Sequence, residues 1–561
     1  MKRFACLAAT VALVSQVTPA PAAVKLPAIL GDHMVLQSGA PVPIWGSADP
    51  GEAVSVSVNG VTKEATADDT GKWQVVLDPL EPGGPIEIQI AGTNTLTLRD
   101  VLVGEVWVCS GQSNMEWSVR NSNNAAEEIA AATDGQIRLF TVNKAVADEP
   151  LDDCIGQWVV CSPQTVQNFS AVGYFFGRQL RKDLQVPVGL INTSWGGTPV
   201  ESWISRQSLA ANETVSYMLQ RWEEALQKYP QQKKDYETAL AAWQKELDAA
   251  KAEEARLREA VERGADVDPA TDAAAELEGK PADAADDANA PKRRTVAEIE
   301  KAKPQPPGDP SASPWAPASL YNGMIAPIVP CAVRGAIWYQ GESNAGRAKE
   351  YQTLMPMLIE DWRRAWSDEK AAFAFYMVQL ANFTAATPQP VESDWAELRE
   401  AQFLTTQKLE HVGIATAIDI GEANDIHPRN KQEVGRRLAL AAEAMTYGMK
   451  DVVPSGPVYD GMTVEGSSIR LKFKHIGGGL VQKGDRLAGF QIAGEDRKWV
   501  WADAKIDGES VVVSSPDIAR PVAVRYAWAN NPPSTLYNQA GLPALPFRTD
   551  DWPMITEGRK R

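Results

Sequence analysis

The chain has 561 residues, 44% hydrophobic and 23% charged. Those are globular proportions and too many residues for one core, so about three or four domains are expected. A formal charge of −17 and a pI near 4.9 speak against nucleic acid or an anionic membrane surface as partner. The four histidines, His33, His411, His427 and His475, include no pair at metal-ligand spacing, which argues against a zinc site.

Lys2 and Arg3 precede a mostly apolar run from Phe4 to Val14, and Ala20-Pro-Ala22 offers small residues for cleavage. This pattern predicts a signal peptide over residues 1–22 and a secreted or periplasmic protein. The apolar run is too short to span a membrane, and no later segment has about eighteen apolar residues in succession. Without the leader's Cys6, Cys109, Cys154, Cys161 and Cys331 remain. Cys154 and Cys161 would close a short disulfide loop, whereas Cys109 and Cys331 end apolar runs and equally suit buried thiols.

Over residues 24–101, short alternating runs such as Ala53-Val-Ser-Val-Ser-Val58 and Ile86-Glu-Ile-Gln-Ile90 are separated by turn signals such as Asn59-Gly60. They predict an all-β sandwich. From 102 to 206 the pattern changes to strand, helix, strand: Ile137 to Val142, Ser170 to Leu184, Val188 to Asn192. That order with short connections is a parallel βαβ unit. It resumes over 315–449 with Gly335 to Tyr339, a helix around Tyr351 to Ala365, and Ala374 to Gln379. Between the two parts, residues 207–314 are an insertion. Tyr236, Leu240, Trp243, Leu247, Ala250, Leu257 and Val261 form the apolar seam of a long helix, and the tract from Gly264 to Pro314, rich in Ala, Asp, Glu and Pro, reads as largely disordered. Residues 450–548 return to alternating strands and predict a second β-sandwich.

The chemistry gathers at Val106-Trp-Val-Cys-Ser-Gly-Gln-Ser-Asn-Met-Glu-Trp117. A buried strand ends near Cys109, Gly111 breaks it, and Ser113 follows at the strand's carboxyl end, where open α/β sheets place their sites. Ser and Gly also favour ordinary turns, and Met115 stands where the Gly-x-Ser-x-Gly elbow requires glycine. A nucleophilic Ser113 therefore needs a base and an oxyanion hole from elsewhere. After another strand, Asn192-Thr-Ser-Trp-Gly-Gly-Thr-Pro199 offers the amides of Gly196 and Gly197, and Trp338-Tyr-Gln-Gly-Glu-Ser-Asn344 offers the neutral donors Gln340 and Asn344. Glu342 suits orienting a neighbour or contacting substrate. In Asn424-Asp-Ile-His-Pro428, His427 has an acid beside it and precedes a helix from Lys431 to Met445, so it suits a general base. Trp117, Trp195 and Trp203 flank these motifs and offer flat aromatic faces to a ligand.

The ordered set Gly111-Gln-Ser-Asn-Met115, Trp195-Gly-Gly-Thr198, Gln340-Gly-Glu342 and Asp425-Ile-His-Pro428, with Asp32-His-Met-Val-Leu-Gln37 and Leu536-Tyr-Asn-Gln-Ala-Gly-Leu-Pro-Ala-Leu-Pro-Phe547, resembles the sialate O-acetylesterase family of SGNH hydrolases. The resemblance implies a flavodoxin-like three-layer α/β/α hydrolase core flanked by β domains, with no metal or other cofactor, cleaving acetyl esters on sugars. It implies a triad of Ser113, His427 and Asp425, and an oxyanion hole from Ser113, Gly196 or Gly197, and Gln340 or Asn344. The common SGNH pattern puts its acid three residues before the histidine, where this chain has Asn424; Asp425 lies two before, and Asp419 and Glu422 are alternative acids. The usual Gly-x-Asn block is absent. Two other readings compete: an acetylesterase of plant polysaccharides such as xylan or xyloglucan, and an inert carbohydrate-binding protein.

Overall fold

The structure is a computed structural model that describes residues 23–263, 294–366 and 373–560. The expected signal peptide and the tract over 264–293 lie outside the described residues. The chain divides into two units, one of residues up to Ala211 together with those from Pro317 onward, the other Asn212–Ala316.

Seven strands form the centre of the first unit: β1 (Thr95–Gly111), β2 (Ile137–Thr141), β3 (Trp158–Val160), β4 (Val188–Asn192), β5 (Gly335–Tyr339), β6 (Ala374–Gln379) and β7 (Val412–Thr416). Their order is β7-β6-β5-β1-β4-β2-β3. All neighbours pair in parallel except β2 with β3. Every residue of β4, β5, β6 and β7 is buried, so the sheet is covered on both faces, as its continuous apolar runs require. Helices α1 (Ala171–Leu184), α2 (Ala348–Ala365), α3 (Asp394–Lys408) and α4 (Lys431–Met445) provide the cover, α1 packing on α4 and α2 on α3.

The expected boundary at 101/102 falls inside β1. Its first half pairs antiparallel with Gly83–Ala91, and its second half is the middle of the core sheet. The amino-terminal strands thus grow from the core without a linker. They form a sheet of Val61–Thr66, Ala53–Val58 and Gly83–Ala91 beside β1, and a separate pair of Val42–Ser47 and Lys72–Leu77. The carboxyl-terminal region has two four-stranded sheets, whose inward residues Ile469, Leu471, Val511, Val513, Ile492, Val524 and Phe547 share one core.

In the second unit, the Tyr217–Glu262 helix runs for 46 residues, with Leu247 buried and Trp243 half-buried on its apolar seam. The seam has a partner that the reading of 264–314 as disordered missed: Val296–Lys301 is a helix with a Thr295–Glu298 capping box. Trp243 Nε1 donates to Ile299 O at 2.7 Å, and Lys251 pairs with Glu300 at 2.8 Å. Cys109, Cys154, Cys161 and Cys331 are all free, and the short loop that Cys154 and Cys161 could have closed is not cross-linked. Cys109 is a core thiol, its Sγ 3.0 Å from where a Cβ on Gly173 would stand.

The α1–α4 contact fixes where the loop before α4 is delivered. A Cβ on Gly435 would lie 2.6 Å from Phe175 Cβ and 2.7 Å from the Phe176 backbone nitrogen. Gly435→Val should therefore lower unfolding stability by about 1–3 kcal/mol through overpacking, read as a lower denaturant midpoint at unchanged slope.

Candidate active site

The carboxyl ends of β1 and β5 meet closely. Gly111 pairs with Tyr339 and has φ +134°, and a Cβ there would stand 2.2 Å from Tyr339 O, so only glycine fits. The Gln112 N–H then donates to Tyr339 O at 2.9 Å, while its Oε1 accepts from the Gly341 and Ser343 amides, each at 3.3 Å. Ser113 begins a single helical turn, Ser113–Glu116. Its own N–H is one of the donors a helix start leaves unused, and it has no acceptor among the described residues.

His427 sits in the loop between β7 and α4. Its Nε2 is 2.8 Å from Ser113 Oγ, and its Nδ1 is 3.3 Å from Asp425 Oδ1. The same Asp425 oxygen accepts the His427 backbone N–H at 2.9 Å. Trp117 stacks on the imidazole, with centroids 5.2 Å apart and planes 15° from parallel. Burial lowers the His427 pKa, Asp425 raises it, Lys431 lowers it again, and the balance is below the ordinary histidine value. The alternative acids are engaged elsewhere. Asp419 makes two hydrogen bonds with Arg437, at 2.6 and 2.9 Å, and accepts from Tyr537 at 3.0 Å. Glu422 accepts the Arg429 amide at 3.0 Å, and Asn424 is exposed.

Several expected roles do not survive the packing. Gln340 is fully buried; its Nε2 donates to Asn344 Oδ1 at 2.6 Å and Thr198 O at 3.3 Å, and its Oε1 accepts from Tyr351 at 3.0 Å. Asn344 Oδ1 also accepts the Val200 amide at 3.0 Å, and its Nδ2 donates to Glu201 at 3.0 Å. The two amides tie the 198–201 loop to β5 rather than offering donors to a substrate. Trp203 is fully buried, its Nε1 bonded to Thr198 Oγ1 at 3.0 Å, and is a core residue rather than a sugar platform. Gly196 lies against Ser113, since a Cβ on it would be 3.2 Å from Ser113 Cβ, but its N–H donates to Glu116 Oε2 at 2.6 Å. Gly197 is an exposed turn glycine at φ +74°. Trp195 is half-buried beneath Lys144, 5.3 Å from its ring centroid. Glu342 orients a neighbour, accepting from Asn114 Nδ2 at 2.6 Å.

Ser113 and His427 open into a cleft of about 810 Å³ lined also by Glu116, Trp117, Arg120, Lys144 and Asn192. Sequence reasoning passed over most of these. Glu116 is three residues after Ser113, the spacing of neighbours on one helical face, and that spacing could have found it. Its Oε1 accepts from Lys144 at 2.6 Å. Arg120 has no ion-pair partner among the described residues. Asn192 Oδ1 accepts from Ser194 Oγ at 2.7 Å, which leaves its Nδ2 without an acceptor among the described residues. Among those residues, no three His, Cys, Asp or Glu side chains converge as a metal site, and no helix is long and apolar enough to cross a membrane.

Residues 103–262 and 292–444 match the family profile described as carbohydrate esterase, sialic acid-specific acetylesterase. The chain belongs to that family. It is 30% identical to the sialate O-acetylesterase of Rattus norvegicus over 92% of this chain and 93% of the relative. It is 28% identical to that of Homo sapiens over 92% and 91%. A carbohydrate acetylesterase from Xanthomonas citri, known from a crystal structure, superposes with a TM-score of 0.72 at 34% identity, covering 94% of this chain and all of that one. The esterase is thus a carboxylic ester hydrolase acting on carbohydrate, as the motifs implied, and an inert binding protein is not the reading these relatives support.

Its Asp419 belongs to the scaffold. Burial alone would raise this carboxyl, but the Arg437 hydrogen bonds and charge outweigh it and hold the pKa below the usual range. A depressed native pKa stabilises the fold above the unfolded carboxylate value, and that stability is lost as pH falls through the native value. Asp419→Asn should therefore cost about 3–5 kcal/mol near neutral pH, the cost of breaking a buried pair, and much less in acid, as measured by urea unfolding at both.

Proposed function

We propose that the esterase is a serine carbohydrate O-acetylesterase of the SGNH type, with Ser113 as nucleophile, His427 as general base and Asp425 as its acid. The observation that carries this is the 2.8 Å contact of His427 Nε2 with Ser113 Oγ at the carboxyl ends of parallel strands. The order β4-β1-β5-β6-β7 is that of a flavodoxin-like sheet, which supports the SGNH reading.

His427 Nε2 takes the Ser113 proton as Oγ attacks the acetyl carbonyl carbon, and Asp425 stabilises the imidazolium. The tetrahedral intermediate collapses with cleavage of the bond to the sugar oxygen, which leaves with the proton from His427. Water then gives its proton to His427 and attacks the acetyl-enzyme, releasing acetate and restoring Ser113. The oxyanion is received by the unused Ser113 amide and by the Gly196 amide once the ester oxygen displaces the Glu116 carboxylate. Asn192 Nδ2, on the cleft wall, replaces Gln340 and Asn344 as the side-chain donor. Trp117 buttresses the imidazole, and its exposed part and Trp195 border the sugar.

The substrate we favour is an acetylated sugar that carries a carboxylate, an O-acetylated sialic acid being the case that the relatives' names point to. The free Arg120 guanidinium in the cleft supports it, because a guanidinium without a partner is a ready receiver for a carboxylate. The leader over residues 1–22 belongs with this reading, directing the enzyme to secreted or periplasmic glycans.

Ser113→Ala and His427→Ala should each remove nearly all turnover of 4-nitrophenyl acetate with the fold intact, and the double variant should be little worse, because the pair acts as a unit. Asp425→Asn should lower kcat by several orders of magnitude, up to about ten-thousandfold, with little change in KM. Losses that multiply independently, or normal turnover by Asp425→Asn, would refute these assignments. Arg120→Ala should lower kcat/KM about ten- to a hundredfold on O-acetylated sialic acid and leave acetylated xylan and xyloglucan unchanged. Equal loss on all three would favour a neutral polysaccharide as substrate.

A further inference from the structure

A second cluster adjoins Ser113 and His427 without lining the cleft. Lys431, the first residue of α4, is completely buried. Its Nζ donates to Asn114 Oδ1 and lies 5.2 Å from the Tyr339 ring centroid and 5.8 Å from that of Trp117. Asn114, also buried, uses Nδ2 to donate to Glu342 Oε1 at 2.6 Å and to Ile426 O at 3.0 Å. The other Glu342 oxygen is buried with no hydrogen-bond partner. Asn114 follows the nucleophile and Ile426 precedes the base, so one side chain joins the two segments whose alignment the reaction needs. A buried ammonium is among the most expensive groups to hold in a protein interior. A leucine or methionine would serve if the start of α4 needed only filling.

We propose that Lys431, acting with Asn114 and Glu342, is a positioning residue of the esterase: it clamps the nucleophile turn to the base loop through Asn114, and its positive charge keeps the His427 imidazole neutral and ready to accept a proton. The proposal rests on the Ser113–His427 reading. The charged groups facing Lys431 are Glu342 from the end of β5 and Asp425 and Glu422 from the base loop; those facing His427 are Asp425 and Lys431. Burial pushes the Lys431 ammonium down to about 7, with the three carboxylates opposing. Through the mildly acidic range it therefore stays charged and opposes a second positive charge on the imidazole, while Asp425 supports one. A general base works best with its pKa near or below the working pH, and the two opposed charges set that value.

The test uses the full chain and the pH dependence of kcat/KM on 4-nitrophenyl acetate for wild type, Lys431→Met and Lys431→Gln. Both variants lose the charge. In both, the His427 pKa rises, so the acidic limb should move to higher pH by roughly one unit, an approximately tenfold lower kcat/KM at a pH below the limb. A lysine that merely filled space would lower kcat without moving the limb, and an unmoved limb in folded variants overturns the proposal. If neither variant folds, NMR titration of the wild-type imidazole decides, with His427 assigned by the signal lost in His427→Ala. Burial alone already lowers the imidazole, so the deciding feature is a second inflection of the His427 signal near pH 7, where the Lys431 ammonium loses its proton: its presence supports the coupling of the two groups and its absence overturns it. Ser113→Ala is run alongside: if it keeps its turnover, the serine reading has failed rather than the role of Lys431.

Discussion

Ser113 and His427 are 314 residues apart in sequence and 2.8 Å apart in space. That closeness depends on the tight parallel pairing of the ends of β1 and β5 at Gly111 and Tyr339. Because the Tyr339 carbonyl occupies the place of a side chain at Gly111, the two strand ends close up and the chain must turn there. The turn exposes Ser113, and the Gln112 side chain locks the loop after β5 to it. His427 arrives on the loop before α4, whose direction is set by the contact of Gly435 with Phe175 and Phe176. Two glycines, at a close strand pair and a helix contact, thus position Ser113 and His427, the proposed nucleophile and base. Side chains at either place would force the elements apart, as packed interiors yield little.

The backbone of the core was easy to read in the sequence because a parallel sheet covered on both faces leaves continuous apolar runs. Val188–Asn192, Gly335–Tyr339 and Ala374–Gln379 have the bounds their composition suggested. β1 was read only in part, since its polar first half, Thr95 to Asp100, looks like the end of a separate sandwich, and only the pairing with Gly83–Ala91 makes it one strand with the core. Ser113, His427 and Asp425 stand out as candidates in the sequence because each carries its chemistry locally, and the fold brings the three together. Gln340, Asn344 and Trp203 were misread because what decides a buried amide or indole is its partner. Those partners, Thr198, Val200, Glu201 and Tyr351, come from elsewhere in the fold. Val296–Lys301 was missed because its charged sequence hides the single apolar residue, Ile299, that seats it on Trp243.

Charge around the site is arranged in opposed pairs. Glu116 lies between the Gly196 amide and Lys144, so a resident carboxylate holds the donor proposed for the oxyanion. In the proposed reaction that carboxylate must give way to the ester oxygen, and the Lys144 ammonium, already bonded to its other oxygen, keeps it paired. On the other side, the pull of Asp425 on the imidazole is opposed by Lys431 and by burial. The cleft is thereby supplied with charge of both signs within a chain whose net charge is −17.

The two-residue spacing of acid and base has its own physical reason. Asp425 Oδ1 accepts the backbone N–H of His427 at 2.9 Å, the turn in which an Asp side chain bonds the amide two residues on. That bond fixes the carboxylate by local geometry and leaves the same oxygen 3.3 Å from Nδ1. An acid three residues before the histidine would lie outside this turn and would need tertiary contacts to hold it. Asn424 occupies that place and is exposed. Asp425 and His427, the proposed acid and base, are therefore held on one short loop, which Asn114 ties to the Ser113 turn through the Ile426 carbonyl. The shorter spacing exchanges a tertiary constraint on the carboxylate for one on the loop that carries it.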